Sequence, residues 1–134
     1  KKKGQRKMKK SVLLLLLLVI SICTASAQAE IKFEKLTHNF GKFPESSPKV
    51  SCVFKFTNVG DQPLVINQAV ASCGCTVPEY TKAPIKPGES GEIKITYNGA
   101  GKFPGHFKKS ITVRTNGKIE MTRLYVEGDM EEKK

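Results

Sequence analysis

The 134-residue sequence contains no tryptophan, two histidines and four cysteines. Histidine scarcity leaves little material for acid–base or metal chemistry. His38 and His106 sit in no recognisable motif, so each reads as a solvent-facing residue near a strand end. Nucleophile-elbow and metalloprotease motifs are missing as well. The nearest approach to a phosphate loop is Asn98-Gly99-Ala100-Gly101-Lys102-Phe103. A phosphate loop would need glycine at position 96 and a hydroxyl at 103, where this chain has Thr96 and Phe103. It is a loop without that chemistry, and the sequence points away from an enzyme. No window repeats apolar residues at the 3.6 spacing of a helix. The longest apolar run, residues 12–20, is well short of the ~20 residues that span a bilayer.

That run belongs to a leader. Residues 1–10 are basic, the apolar run follows, and Ala25-Ser26-Ala27 supplies a small-x-small ending. Charged start, short apolar middle and small residues at the end mark a secretory signal peptide over residues 1–27, cleaved near Ala27. The mature product is expected outside the cytoplasm, in the periplasm or beyond. A rival cleavage would place a lipid on Cys23, and membrane attachment is expected only in that case; the bulky Ile22 before it argues against this. Seven of the 23 basic residues lie in the leader, leaving 16 against 12 acidic ones, a net of +4 rather than +11. Nucleic acid is therefore not an expected partner.

The remaining 107 residues suit one domain, expected over residues 28–128 with a frayed tail at 129–134. Ile31 and Phe33 alternate with charged residues. In Val50-Ser51-Cys52-Val53-Phe54-Lys55-Phe56, the residues Val50, Cys52, Phe54 and Phe56 share one face, the signature of a half-buried strand. Asn58-Val59-Gly60-Asp61-Gln62-Pro63 reads as a break. Further strands are expected from Pro63 toward Ser72, around Ile93, Ile95 and Tyr97, around Ile111 and Val113, and around Leu124 and Val126. Pro87-Gly88 suits a type II turn, and Asn116-Gly117 a two-residue hairpin. About seven short strands in roughly 100 residues predict an all-β fold, an immunoglobulin-like antiparallel sandwich.

Ser72-Cys73-Gly74-Cys75-Thr76 is the chemically unusual stretch. Beyond the leader there are three thiols, Cys52, Cys73 and Cys75, an odd number. Cys52 could bridge to Cys73 or Cys75, closing a loop of about twenty residues worth roughly 3 kcal/mol. Cys73 could bond to Cys75 if the chain kinks at Gly74, giving a small and readily reduced ring. The two sulfurs could instead hold a soft metal, with copper(I) the suitable ion. The residues leave all three open.

The ordered series Phe54-Lys55-Phe56-Thr57-Asn58-Val59-Gly60, Pro63-Leu64-Val65-Ile66, Ser72-Cys73-Gly74-Cys75-Thr76, Pro84-Ile85-Lys86-Pro87-Gly88 and Thr115-Asn116 resembles the exported bacterial family called domain of unknown function 1573. The resemblance implies a sandwich related to Hydin-like and major-sperm-protein-like interaction modules. It also implies that Cys73 and Cys75 match family positions and that Cys52 does not. It carries no established activity. The expected role is a non-enzymatic exported binding or structural module, with a protein or envelope component as partner. The contact surface is expected at the loop end, with Ser72, Gly74, Thr76 and Tyr80 as candidate residues and an exposed edge strand as a second surface. Thiol-redox or copper(I) handling through Cys73-Gly74-Cys75 is the alternative.

Overall fold

The computed structural model describes residues 26–132 as eight β-strands, with no helix. The leader read over residues 1–27 lies outside the described residues apart from Ser26 and Ala27, and so does Cys23. The strands are β1 (Ile31–Phe33), β2 (Thr37–Pro44), β3 (Lys49–Asn58), β4 (Ile66–Ala71), β5 (Thr76–Tyr80), β6 (Ser90–Asn98), β7 (Gly105–Thr115) and β8 (Met121–Glu131). They form two four-stranded sheets, ordered β1-β3-β6-β5 and β2-β8-β7-β4. Pairing is antiparallel except between β2 and β8.

Alternation explains the core. On β3, Cys52, Phe54 and Phe56 point inward and lie opposite Ile95, Ile93 and Gly91 of β6. Ile111 and Val113 of β7 and Leu124 and Val126 of β8 line the inner face of the second sheet, all 0% exposed. Each large apolar side chain buried this way contributes about 1.5–3 kcal/mol. Leu64 and Ile85, joined by an isolated bridge, close one flank of this core. A second cluster of Phe43, Tyr97 and Met130 fills the end where β5 begins, with Phe107 and Cys75 packed against it.

The strand count is eight rather than about seven, because β2 and β5 break the simple pattern. In β2, Gly41 has φ 69° and the register with β8 shifts between Asn39 and Lys42, a bulge that interrupts the alternation. β5 is five residues long with Pro78 at its centre. The domain also ends later than expected. Residues 129–131, read as the start of a frayed tail, belong to β8, and Met130 is buried at 3% exposure.

Two turn signals acquire different roles. Asn58 is no breaker: it is the last residue of β3 and is fully buried. Its Nδ2 donates to the carbonyls of Gln62 (2.7 Å) and Ile85 (2.9 Å), and its Oδ1 accepts from the Gly60 and Glu30 amides. Asn116-Gly117 makes no two-residue hairpin, since Arg114 pairs with Met121 and the connection occupies residues 116–120. Instead Asn116 accepts from the Val65 amide at 2.8 Å and donates to the Pro63 carbonyl at 3.1 Å, strapping the approach to β4 onto β7. Gly88, by contrast, takes φ 82° in the turn expected of Pro87-Gly88, closed by the Glu89 amide on the Lys86 carbonyl.

Candidate functional site

β4 is the last strand of one sheet and β5 the last of the other, so residues 72–75 carry the chain between layers. Both ends of this corner are tied down. The Ser72 amide donates to the Ser110 carbonyl at 2.8 Å, and the Ser72 hydroxyl accepts from the Ser110 amide at 3.2 Å. On the other side the Asn98 amide donates to the Cys75 carbonyl at 2.8 Å, and the Thr76 amide donates to the Cys73 carbonyl at 3.3 Å. Gly74 sits at the exposed apex, where an added Cβ would meet nothing within 4 Å.

Within this turn Cys73 and Cys75 form a disulfide, with their Cα atoms 5.3 Å apart. Cys52 remains a buried free thiol. The register shows why it is out of reach. Cys52 lies opposite Ile95, and Ile95 lies opposite Pro78, so β6 separates it from β5. Two strand spacings amount to about 9.5 Å, already beyond the ~7 Å that a bridge spans. Burial pushes the Cys52 thiol up to about 11, partly countered by the Lys35 ammonium, so at neutral pH it is unreactive. The bridge that forms closes only three residues. The chain-entropy relation gives it about 1.6 kcal/mol, roughly half what a bridge from Cys52 would supply. Stability alone does not account for it.

The environment of the sulfurs is specific. Thr76 is buried at 3% exposure, and its hydroxyl lies 3.7 Å from both the Cys73 and Cys75 Sγ atoms. Cys75 rests on the Phe43–Tyr97–Met130 cluster. Across the outer face of the first sheet, an open groove of about 440 Å³ runs beside Gly74 and Cys75, lined further by Lys49, Ser51, Val77 and Lys94. Among the described residues no group of three or more His, Cys, Asp or Glu side chains converges to hold a metal. In the bonded form neither sulfur is a thiolate ligand, so copper(I) would require the reduced pair.

Of the four candidate contact residues, Ser72 and Gly74 are exposed at the corner, whereas Thr76 is buried beneath the bridge. Tyr80 stands at the far end of β5, partly buried against the main core, and does not join the corner. The histidines are elsewhere too. His38 Nδ1 lies 2.6 Å from the Lys35 Nζ, and burial followed by that charge lowers its pKa. His106 Nδ1 lies 3.0 Å from Asp129 Oδ1 and its Nε2 3.8 Å from Glu127 Oε2, on the β7–β8 face.

One residue that the sequence pattern did not single out belongs to this end. Phe103, in the β6–β7 connection read as an inert loop, is 96% exposed. The loop that carries it is ordered by hydrogen bonds from the Lys102 amide to the Gly99 carbonyl and from the Ala100 amide to Asn98 Oδ1, both 3.0 Å. Gly101, at φ 75°, supplies the left-handed step. Asn98 thus anchors both the cysteine corner and the Phe103 loop. The available signal was an aromatic residue in a glycine-rich turn with no alternating neighbours to bury it.

The fold and sequence have relatives. Residues 31–130 match the family model described as protein of unknown function, DUF1573. A protein of unknown function from Porphyromonas gingivalis W83 superposes with a TM-score of 0.66 at 16% identity, over 80% of this chain and 50% of that one. The seventh PapD-like (ASH) domain of human CEP192 gives 0.63 at 10% identity, over 83% and 92%. The YadV chaperone gives 0.54 at 14% identity, over 75% and 52%. This chain therefore spans about half the length of the Porphyromonas protein and of the chaperone. At such identities the likeness establishes the fold alone. No curated protein sequence matches the chain. With 31–130 matched and a two-sheet sandwich of PapD-like kind, this chain belongs to the DUF1573 family of proteins of unknown function.

Proposed function

We propose that the chain is an exported, non-enzymatic binding or structural module of the bacterial cell envelope that engages a protein or envelope component through the cysteine end of the sandwich. The observation that carries this reading is Phe103, an aromatic ring held almost wholly in water on a hydrogen-bonded turn. Burying such a ring on a partner returns about 1.5–3 kcal/mol, and an ordered loop leaves less freedom to lose on binding. The crosslinked corner beside it stiffens the same surface. Export is supported by the leader pattern of residues 1–27, and a disulfide suits an oxidising compartment such as the periplasm. The same sandwich type serves a periplasmic chaperone, SfaE, among the structural neighbours.

The edge-strand surface can be narrowed. On β5 the Cys75 carbonyl faces β6, so Thr76, Pro78 and Tyr80 present their backbones to the open side. Pro78 has no N–H, and the Thr76 amide is already used, which blunts this edge. β1 accompanies β3 along residues 56–58, and the Glu34 amide that follows it donates to the Lys55 carbonyl at 3.0 Å. The other half of β3, around Ser51 and Val53, is therefore the better edge for an incoming strand.

The test is capture from an envelope fraction by the wild-type chain and by F103S. The expected result is a retained partner whose affinity falls at least tenfold in F103S, while the melting temperature is unchanged. Equal retention by both, or no partner at any salt concentration, would defeat the reading. A second reading, thiol exchange or copper(I) handling by Cys73 and Cys75, is favoured by the closure of a ring across the single residue Gly74.

A further inference from the structure

We infer that the Thr76 hydroxyl is the hydrogen-bond donor that makes the Cys73–Cys75 bridge exchangeable with a protein dithiol. The inference rests on the thiol-exchange reading and names the group that would make it work.

Thr76 begins β5 on the inner face, opposite Tyr97. An apolar β-branched residue would fill such a position without carrying a polar atom into the interior. A buried hydroxyl needs a partner, and here its partners are the two sulfurs, each at 3.7 Å. A neutral disulfide sulfur accepts a hydrogen bond weakly, whereas a thiolate accepts one strongly. The contact therefore gains strength as the bond between the sulfurs breaks, which is the condition for accelerating that step. Equal distance to both sulfurs lets the same hydroxyl serve whichever one departs. The hydroxyl is held in place because the Thr76 amide is fixed on the Cys73 carbonyl and the neighbouring Cys75 carbonyl on the Asn98 amide.

The step balances as follows. A thiolate of the partner attacks one sulfur of the bridge, forming a mixed disulfide and expelling the other sulfur as a thiolate that takes the Thr76 hydrogen bond. The partner's second thiol, as thiolate, then attacks the mixed disulfide. The partner leaves as a disulfide, and Cys73 and Cys75 take up two protons to become thiols. Two electrons pass from the partner dithiol to the bridge. A hydrogen bond that favours the thiolate lowers the leaving thiol's pKa, and a lower pKa makes it leave faster.

The experiment treats the folded, oxidised chain with dithiothreitol as the probe. Bridge opening is followed by quenched alkylation and mass analysis of the peptide containing residues 73–75, which sets Cys52 aside. We expect T76V to slow opening about tenfold and to shift the equilibrium with dithiothreitol about tenfold toward the disulfide, equivalent to about 1.4 kcal/mol. T76S should behave as wild type, and the pH profile for alkylating the reduced pair should move upward in T76V alone. Should T76V fail to fold, T76A against T76S makes the same comparison. Wild-type rates, equilibrium and pH profile in a folded T76V would overturn the role of Thr76 while leaving thiol exchange standing. A wild-type bridge that stays closed in excess dithiothreitol, with the fold intact, would overturn thiol exchange and this inference with it.

Discussion

Tyr97 and Phe107 stack face to face between the two sheets, with ring centroids 3.8 Å apart and planes 9° from parallel. Phe43 meets both rings edge-on, at 6.4 and 5.9 Å. This aromatic group floors the end of the sandwich that carries the cysteine corner, so its packing should set the rigidity of the proposed site. F107A is expected to cost about 2–4 kcal/mol, from lost transfer energy and the cavity left against Tyr97 and Phe43. Urea unfolding measures it; a loss below about 1 kcal/mol would mean that the stack does not support this end.

Asn58 should be the most sensitive polar residue in the domain. N58A removes four hydrogen bonds at once, to the backbone of Gln62, Ile85, Glu30 and Gly60, and of these acceptors the Ile85 carbonyl keeps the Leu64 amide. At about 0.5–1.5 kcal/mol per hydrogen bond lost, the four together should cost about 2–5 kcal/mol. A variant unfolding at nearly the wild-type urea midpoint would contradict this.

Cys52 predicts an alkaline weakness. Its thiol keeps its proton to about 11 when folded, against an ordinary value of 9.0. Between those values the unfolded chain has lost the proton and the folded chain has not. Its stabilising contribution is therefore complete below pH 9 and disappears as the pH rises through 11. Tyr97, whose pKa burial also raises, acts in the same direction at high pH. The difference in melting temperature between wild type and C52A should therefore shrink from pH 9 to pH 11, with Tyr97 common to both. A constant difference would refute the assignment.

The disulfide should matter little for folding. C73A/C75A is expected to lose less than about 2 kcal/mol and to keep its β-rich far-ultraviolet spectrum, because only three residues are closed into the ring. Thiol titration of an unreduced chain of residues 28–134 should find one reactive group, Cys52, and only after unfolding. A loss above about 3 kcal/mol would show that the bridge, rather than the Ser72–Ser110 and Cys75–Asn98 hydrogen bonds, holds the crossover.

Much of this was legible in the linear pattern. The inward residues of β3, β6, β7 and β8 follow from period-two alternation, which each strand carries within itself. Three thiols, Cys52, Cys73 and Cys75, can form only one bridge among themselves, and the spacing of Cys73 and Cys75 made their bridge one of three open possibilities. β2 and β5 were hidden because a bulge at Gly41 and a central Pro78 interrupt their alternation.

What only the tertiary structure decided is which strand joins which sheet. That depends on how distant faces bury one another, and no local window contains that information. It made residues 72–75 a crossover between layers, set β6 between Cys52 and the other thiols, turned Asn58 from a breaker into a buried organiser and tied the Phe103 loop and the cysteine corner to the same residue, Asn98. Alternation along a strand is dictated by backbone geometry, residue by residue. The neighbours across a sheet are dictated by the packing of the whole chain.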